Sequence, residues 1–181
     1  KTLALGLLKD SWPLILSGIV ITVYMKIDQV MIQEMMGSKS VGQYAAAVRL
    51  SEAWYFIPMI IASSLFPAII NAKKINDKLY HTRLQKLYDL MVWMGIAIAI
   101  PMTFMSDWLV ELLYGVQYSL ASDVLMLHIW AGVFVFLGVS FSKYLTAENQ
   151  TKKAFYRTLL GAVINVLLNY ILIPIYGING A

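Results

Sequence analysis

The stretch WPLILSGIVITVYMKIDQVMIQ, residues 12–33, decides the fold. About 20 mostly apolar residues in a helix cross the roughly 30 Å hydrocarbon core of a bilayer, and this run is long enough to do so. It lacks the strict apolar–polar alternation of a barrel strand. A lipid-exposed backbone must satisfy its own hydrogen bonds, so the run reads as a transmembrane helix. Lys26 and Asp28 stand inside it, and they are the feature that a purely lipid-facing helix does not explain.

The rest of the chain agrees with this reading. Of its 181 residues, 60% are hydrophobic and 13% charged, with a mean hydropathy of +0.69. An ordinary soluble domain is about 45–50% apolar and about 25% charged, so a water-soluble fold of this size has too much apolar surface to hide. The pattern predicts an all-α polytopic bundle with about five spans, near residues 12–33, 42–71, 87–105, 119–145 and 158–176, in one transmembrane fragment covering residues 1–181. Ser11 reads as an N-cap with Pro13 in the first turn. Gly37, Ser38 and Gly42 mark a turn, Asn71–Asp77 a polar loop, and Asp107–Leu113 an interfacial half-helix ended by Tyr114–Gly115. Pro58, Pro67 and Pro101 read as kinks, because neighbouring helices repair a broken ladder in a membrane. The second span exceeds the bilayer thickness, so a kink or tilt is expected there. The small residues Gly95, Ala99, Gly132, Gly138 and Gly161 are expected to admit close helix approach. The chain starts without Met and stops in a segment that reads as unfinished, and is taken as an excerpt of a longer protein.

The formal charge of +4 does not point to nucleic acid, because the cations sit between apolar runs. Lys73, Lys74, Lys78, Arg83 and Lys86 fall in one inter-span segment, and Lys152, Lys153 and Arg157 in another. Lys1 and Lys9 precede the first span, while the opposite segments hold Lys39 with Asp107, Glu111 and Asp123. The positive-inside rule places segments 72–86 and 146–157 in the cytoplasm. There is no cysteine, which excludes a disulfide framework and a thiolate metal site. Two histidines, no phosphate-cradling glycine loop and no nucleophile elbow argue against an enzyme, and no cofactor is expected.

Four ionisable residues are out of place in lipid: Lys26 and Asp28 in the first span, Arg49 and Glu52 in the second. An Asp, Lys or Arg costs roughly 2.5–3.5 kcal/mol near a helix centre, and each strongly apolar residue returns only about 0.3–0.6 kcal/mol. The dozen or so apolar residues of the first span about balance Lys26 and Asp28, so that helix is expected to face water or partners. At 1.5 Å per residue, Lys26 and Asp28 lie roughly 20 Å from the cytoplasmic end of their span, and Arg49 and Glu52 roughly 10–15 Å from the outer end of theirs. Both pairs are expected in the outer half, lining a wet cavity. Arg and Lys suit a phosphate or pyrophosphate, and the carboxylates suit a coupling proton or sodium ion. Structural ion pairs that only fix packing are the alternative. Tyr24 shares a face with Asp28. His128, Asn165 and Asn169 are weaker candidates, more simply read as interhelical hydrogen-bonding groups.

Several strings resemble a known family: SWPLILSGI (11–19), YMKIDQVMI (24–32), VGQYAAAVRLSEAWYFIPMIIASSLFPAII (41–70), LYGVQYSLASDVL (113–125) and NVLLNYILIPIYGINGA (165–181). Together they resemble the Wzx-type O-antigen or oligosaccharide-lipid flippases of the multidrug/oligosaccharidyl-lipid/polysaccharide exporter superfamily. The resemblance implies two pseudo-symmetric lobes, of which this chain looks like the start of the second. It implies movement of undecaprenyl-pyrophosphate-linked oligosaccharide across the bacterial cytoplasmic (inner) membrane by ion-coupled alternating access. The implied partners are the lipid-linked oligosaccharide, membrane lipid, the remaining lobe and the polysaccharide assembly machinery. Such proteins use charged residues in a central cavity, which matches Lys26, Asp28, Arg49 and Glu52. The alternatives are a drug/cation antiporter of the same superfamily, a membrane polymerase or ligase of the same pathway, and a non-transporting scaffold.

Overall fold

A computed structural model describes the backbone of residues 2–181 and the side chains from residue 12 onward. The described residues are helical nearly throughout, and contain no strand. In chain order the helices are α1 (Thr2–Met36), α2 (Ser38–Glu52), α3 (Phe56–Ile75), α4 (Asp77–Tyr114), α5 (Ser119–Ala147) and α6 (Thr151–Tyr176). Short 3-10 turns cover Val116–Tyr118 and Gly177–Gly180. Counting α2 and α3 as one crossing, five segments are long and apolar enough to span a membrane. The protein is an all-α, multi-pass membrane protein.

The helices are longer than hydropathy alone indicates. The first starts upstream of residue 12, at Thr2, so Ser11 is not its N-cap and Pro13 lies in the helix interior. The segment 71–77 is not a loop. α3 runs to Ile75 and α4 starts at Asp77, so the connection is Asn76 alone. That residue is extended (φ −162°, ψ 128°); its N–H caps Ala72 O, and its side chain accepts from Lys78 N at 2.7 Å. Lys73 and Lys74 fall in the last turn of α3 and Asp77 in the first turn of α4, each favourable to the helix dipole there. The basic segment 72–86 is therefore helical. Asp107–Leu113 likewise continues α4, which has 38 residues and at 1.5 Å per residue extends well past the hydrocarbon core. Segment 146–157 contains only a short break, Glu148–Gln150, before α6 begins at Thr151. Gly37 (φ 82°) and Gly115 (φ 83°) end α1 and α4 in the left-handed region, where a side chain would be strained.

The break between α2 and α3 has a definite cause. Pro58 has no N–H to offer the carbonyl of Trp54, and its ring crowds that carbonyl. The regular ladder runs as far as Ala53 N to Arg49 O and then tightens to i−3 bonds: Trp54 N bonds Ser51 O, Tyr55 N bonds Glu52 O and Ile57 N bonds Trp54 O. Pro58 acts on residues 53–55, while Pro67 and Pro101 stay within continuous helices.

The chain packs as two units. One comprises residues 1–41 and 145–181, the other residues 42–144. In the first unit, α1 and α6 run parallel in fixed register. Trp12 stacks edge-on against Phe155 at 5.8 Å, Asp28 meets Asn169 141 residues along, and Met36 reaches Gly177. In the second unit, α5 runs parallel to the α2–α3 crossing. Gln43 meets Ala121 78 residues along and Ser51 meets His128 77 along. The same offset continues past the break, where Gly132 faces the Tyr55 ring and Lys143 lies over Phe66 at 5.7 Å. α4 returns antiparallel to both: Arg83 donates to Ala68 O at 2.7 Å, and Trp130 Nε1 donates to Thr103 Oγ1 at 3.0 Å. Three successive crossings require this alternation.

The core of the second unit is Ala62, Ile69, Tyr80, Leu87, Met91 and Phe136, from α3, α4 and α5. Gly95 permits the closest approach. A Cβ there would sit 3.0 Å from the Val133 Cα, so α4 and α5 touch backbone to backbone. Gly138 and Gly161 have open space around them and mark no such approach, while a Cβ at Gly132 would meet only ordinary contact at 3.6 Å.

Candidate functional site

The intramembrane charges divide between the two units. On α1, Asp28 is half-buried and accepts a hydrogen bond on Oδ1 from Asn169 Nδ2 at 2.6 Å. Asn165 lies one turn earlier on α6, and its Oδ1 is buried with no hydrogen-bond partner. The parallel register sets Asn165 level with Tyr24, which is half-buried on α1. The first unit thus gathers Tyr24, Asp28, Asn165 and Asn169 into one polar patch. Lys26 is not part of it. Two residues away on a helix is about 200° round the axis, and Lys26 is exposed.

An unpartnered, buried amide oxygen one turn from a carboxylate suits a hard cation, which takes oxygen ligands. Among the described residues, no three His, Asp or Glu side chains cluster as a metal site.

In the second unit, Arg49 and Glu52 occupy the last turn of α2, immediately before the break. Arg49 is exposed and Glu52 half-buried. The opposite face of α2 carries Gln43, Tyr44, Ala47, Val48 and Ser51, all buried. Gln43 is satisfied at both ends of its amide: Nε2 donates to Gln117 O at 2.7 Å, and Oε1 accepts from Ala121 N at 3.2 Å. The second bond caps an N–H in the first turn of α5, one of the donors a helix cannot satisfy internally. Ser51 is fully buried. Its hydroxyl lies 3.0 Å from His128 Nδ1 and 3.5 Å from the His128 backbone oxygen. Tyr44, two turns before Ser51, sets its ring edge-on to His128 at 6.3 Å.

Gln43 and Ser51 escape a reading based on charge, since neither is ionisable. Their signal is the spacing 43, 44, 47, 51, a polar-studded stripe on one helix face.

Polar and ionisable groups grouped within apolar, membrane-length helices define a polytopic membrane protein with polar sites inside its spans. The MatE family matches residues 13–171, and the chain belongs to that family. The chain is also similar to a Haloferax volcanii protein named as the low-salt glycan biosynthesis flippase Agl15, 26% identical over 145 residues, covering 78% of this chain and 30% of the relative. It is similar to a Shigella dysenteriae protein named as an O-antigen transporter, 24% identical over 175 residues, covering 96% of this chain and 43% of the relative. The chain spans less than half the length of these curated relatives. No solved structure matches it.

Proposed function

We propose that this chain is part of a flippase that moves an undecaprenyl-pyrophosphate-linked oligosaccharide, such as an O-antigen unit, across the bacterial cytoplasmic membrane by ion-coupled alternating access. The observation that carries the reading is that Lys26, Asp28, Arg49 and Glu52 lie within apolar spans of a chain similar to one protein named as a glycan biosynthesis flippase and another named as an O-antigen transporter. Such charges are costly in lipid and mark substrate or ion pathways.

In this reading Lys26 and Arg49 attract the pyrophosphate, Arg49 bidentately. Asp28, backed by Asn165 and Asn169, holds the coupling ion, a proton or sodium, and Glu52 is the second carboxylate able to do so. The segments 72–86 and 146–157 face the cytoplasm, as their cations favour. The remaining lobe, membrane lipid and the polysaccharide assembly machinery are the partners. Rocking of repeats around the site would move it between leaflets.

Arg49→Ala in the full-length protein is expected to abolish surface polysaccharide without loss of expression. Normal polysaccharide in that variant removes Arg49 from the mechanism. Normal polysaccharide with new drug sensitivity favours the antiporter alternative.

A further inference from the structure

The geometry points to His128 as a positioning residue: with Ser51 it pins the last turn of α2 to α5, so that Arg49 is turned away from α5 and held at the break. The inference rests on the transport reading of Arg49 and Glu52 above.

An unbroken helix fixes the direction of every turn through its own ladder. The α-ladder of α2 runs as far as Ala53 N to Arg49 O, and from residue 54 it gives way to i−3 bonds ahead of Pro58, so α3 does not carry the direction of α2 onward. The last turn, which carries both charges, therefore needs an anchor from another element. The nearest one on the buried face is Ser51, fully enclosed and hydrogen-bonded to His128 Nδ1 at 3.0 Å. Helices in lipid gain no hydrophobic drive to associate, so such polar contacts and tight packing set the interface.

Register does the rest. Gln43 fixes the start of α2 against the start of α5. Ser51 fixes its end at nearly the same offset, 77 residues against 78. A rod held at both ends on one face cannot rotate. Arg49, about 200° round from Ser51, is presented on the other side, and Glu52, about 100° round, on the flank. The anchor requires a hydrogen-bonding atom at the Nδ1 position. It does not require a titrating ring. Asn supplies that atom at about the same distance from the backbone, whereas Leu fills similar space and supplies none.

The test uses cells whose only copy is the full-length protein, with surface-polysaccharide display as the readout and membrane-inserted protein measured alongside. His128→Leu and Ser51→Ala are each expected to lower display about tenfold or more, the scale at which misplaced groups cost activity. The double variant is expected to be no worse than His128→Leu alone, since Ser51→Ala removes a contact that His128→Leu has already removed, whereas His128→Leu also loses the ring contact with Tyr44. His128→Asn is expected to restore display, with the same pH dependence as the unaltered protein.

Failure of His128→Asn to restore display overturns the positioning role in favour of a titrating one, and so do additive losses in the double variant. Arg49→Ala is run in parallel. Full display in His128→Leu beside a silent Arg49→Ala overturns the positioning role alone. Full display in Arg49→Ala overturns the transport reading, and the positioning role with it. Ser51→Ala, a small change in a buried site, keeps the test open where His128→Leu fails to insert.

Discussion

Asp28 and Gly95 show two ways in which one side chain, or its absence, decides an arrangement. Asp28 takes a hydrogen bond from Asn169 inside apolar helices. Asn169→Leu removes that donor from a half-buried carboxylate. It is expected to depress polysaccharide display strongly, and Asn169→Gln to depress it less, in the same cell assay. Gly95 lies against the Val133 backbone. Gly95→Ala forces α4 and α5 apart, and overpacking of this kind costs about 1–3 kcal/mol. A lowered Tm of the full-length protein in detergent checks this, and an unchanged Tm contradicts it. At Gly161, with open space around it, alanine is expected to be neutral. The charged residues were visible in the sequence because ionisable groups in an apolar run stand out. Their partners were not. Ser51 and Gln43 are ordinary polar residues until a neighbouring helix is placed against them. The four charges also resolve into different surroundings, with Asp28 on a polar patch and Lys26 exposed on another side of α1.

At the level of elements, hydropathy located every crossing but misjudged where helices end. It reports the thickness of the bilayer rather than the length of a helix. Residues 71–86 are polar because they leave the hydrocarbon, yet they remain helical to within one residue, Asn76. The same error made Asp107–Leu113 look separate from α4. The overlong second span was legible as a kink, and Pro58 was among the residues expected to cause one. The position of the break, one turn upstream, follows from which carbonyl a proline crowds. Pro58→Ala restores the missing N–H and is expected to let α2 and α3 merge. Spin labels at positions 45 and 64 of the full-length protein should then separate to the distance of a straight helix, about 1.5 Å per residue. Unchanged label distances would remove Pro58 as the cause of the break.

At the scale of the whole chain, the parallel register of spans is the property that sequence reading did not reach. Alternating loops imply that the second and fourth spans share a direction. Only the paired contacts show them side by side at an offset near 77 residues. Because the chain has no cysteine, a pair introduced at Tyr55 and Gly132 in a full-length background without other cysteines should cross-link on oxidation, and a pair at Tyr55 and Ala121 should not. The reverse pattern contradicts the register. The transport reading proposed above requires that Lys26, Asp28, Arg49 and Glu52 meet water rather than acyl chains. Its most direct measurement is the reaction of single cysteines at these positions, in the full-length protein in membranes, with a charged, membrane-impermeant methanethiosulfonate. Phe134, 75% exposed on an apolar helix, is the apolar reference. All four positions are predicted to react well faster than Phe134→Cys; four thiols as inert as that reference would contradict the account.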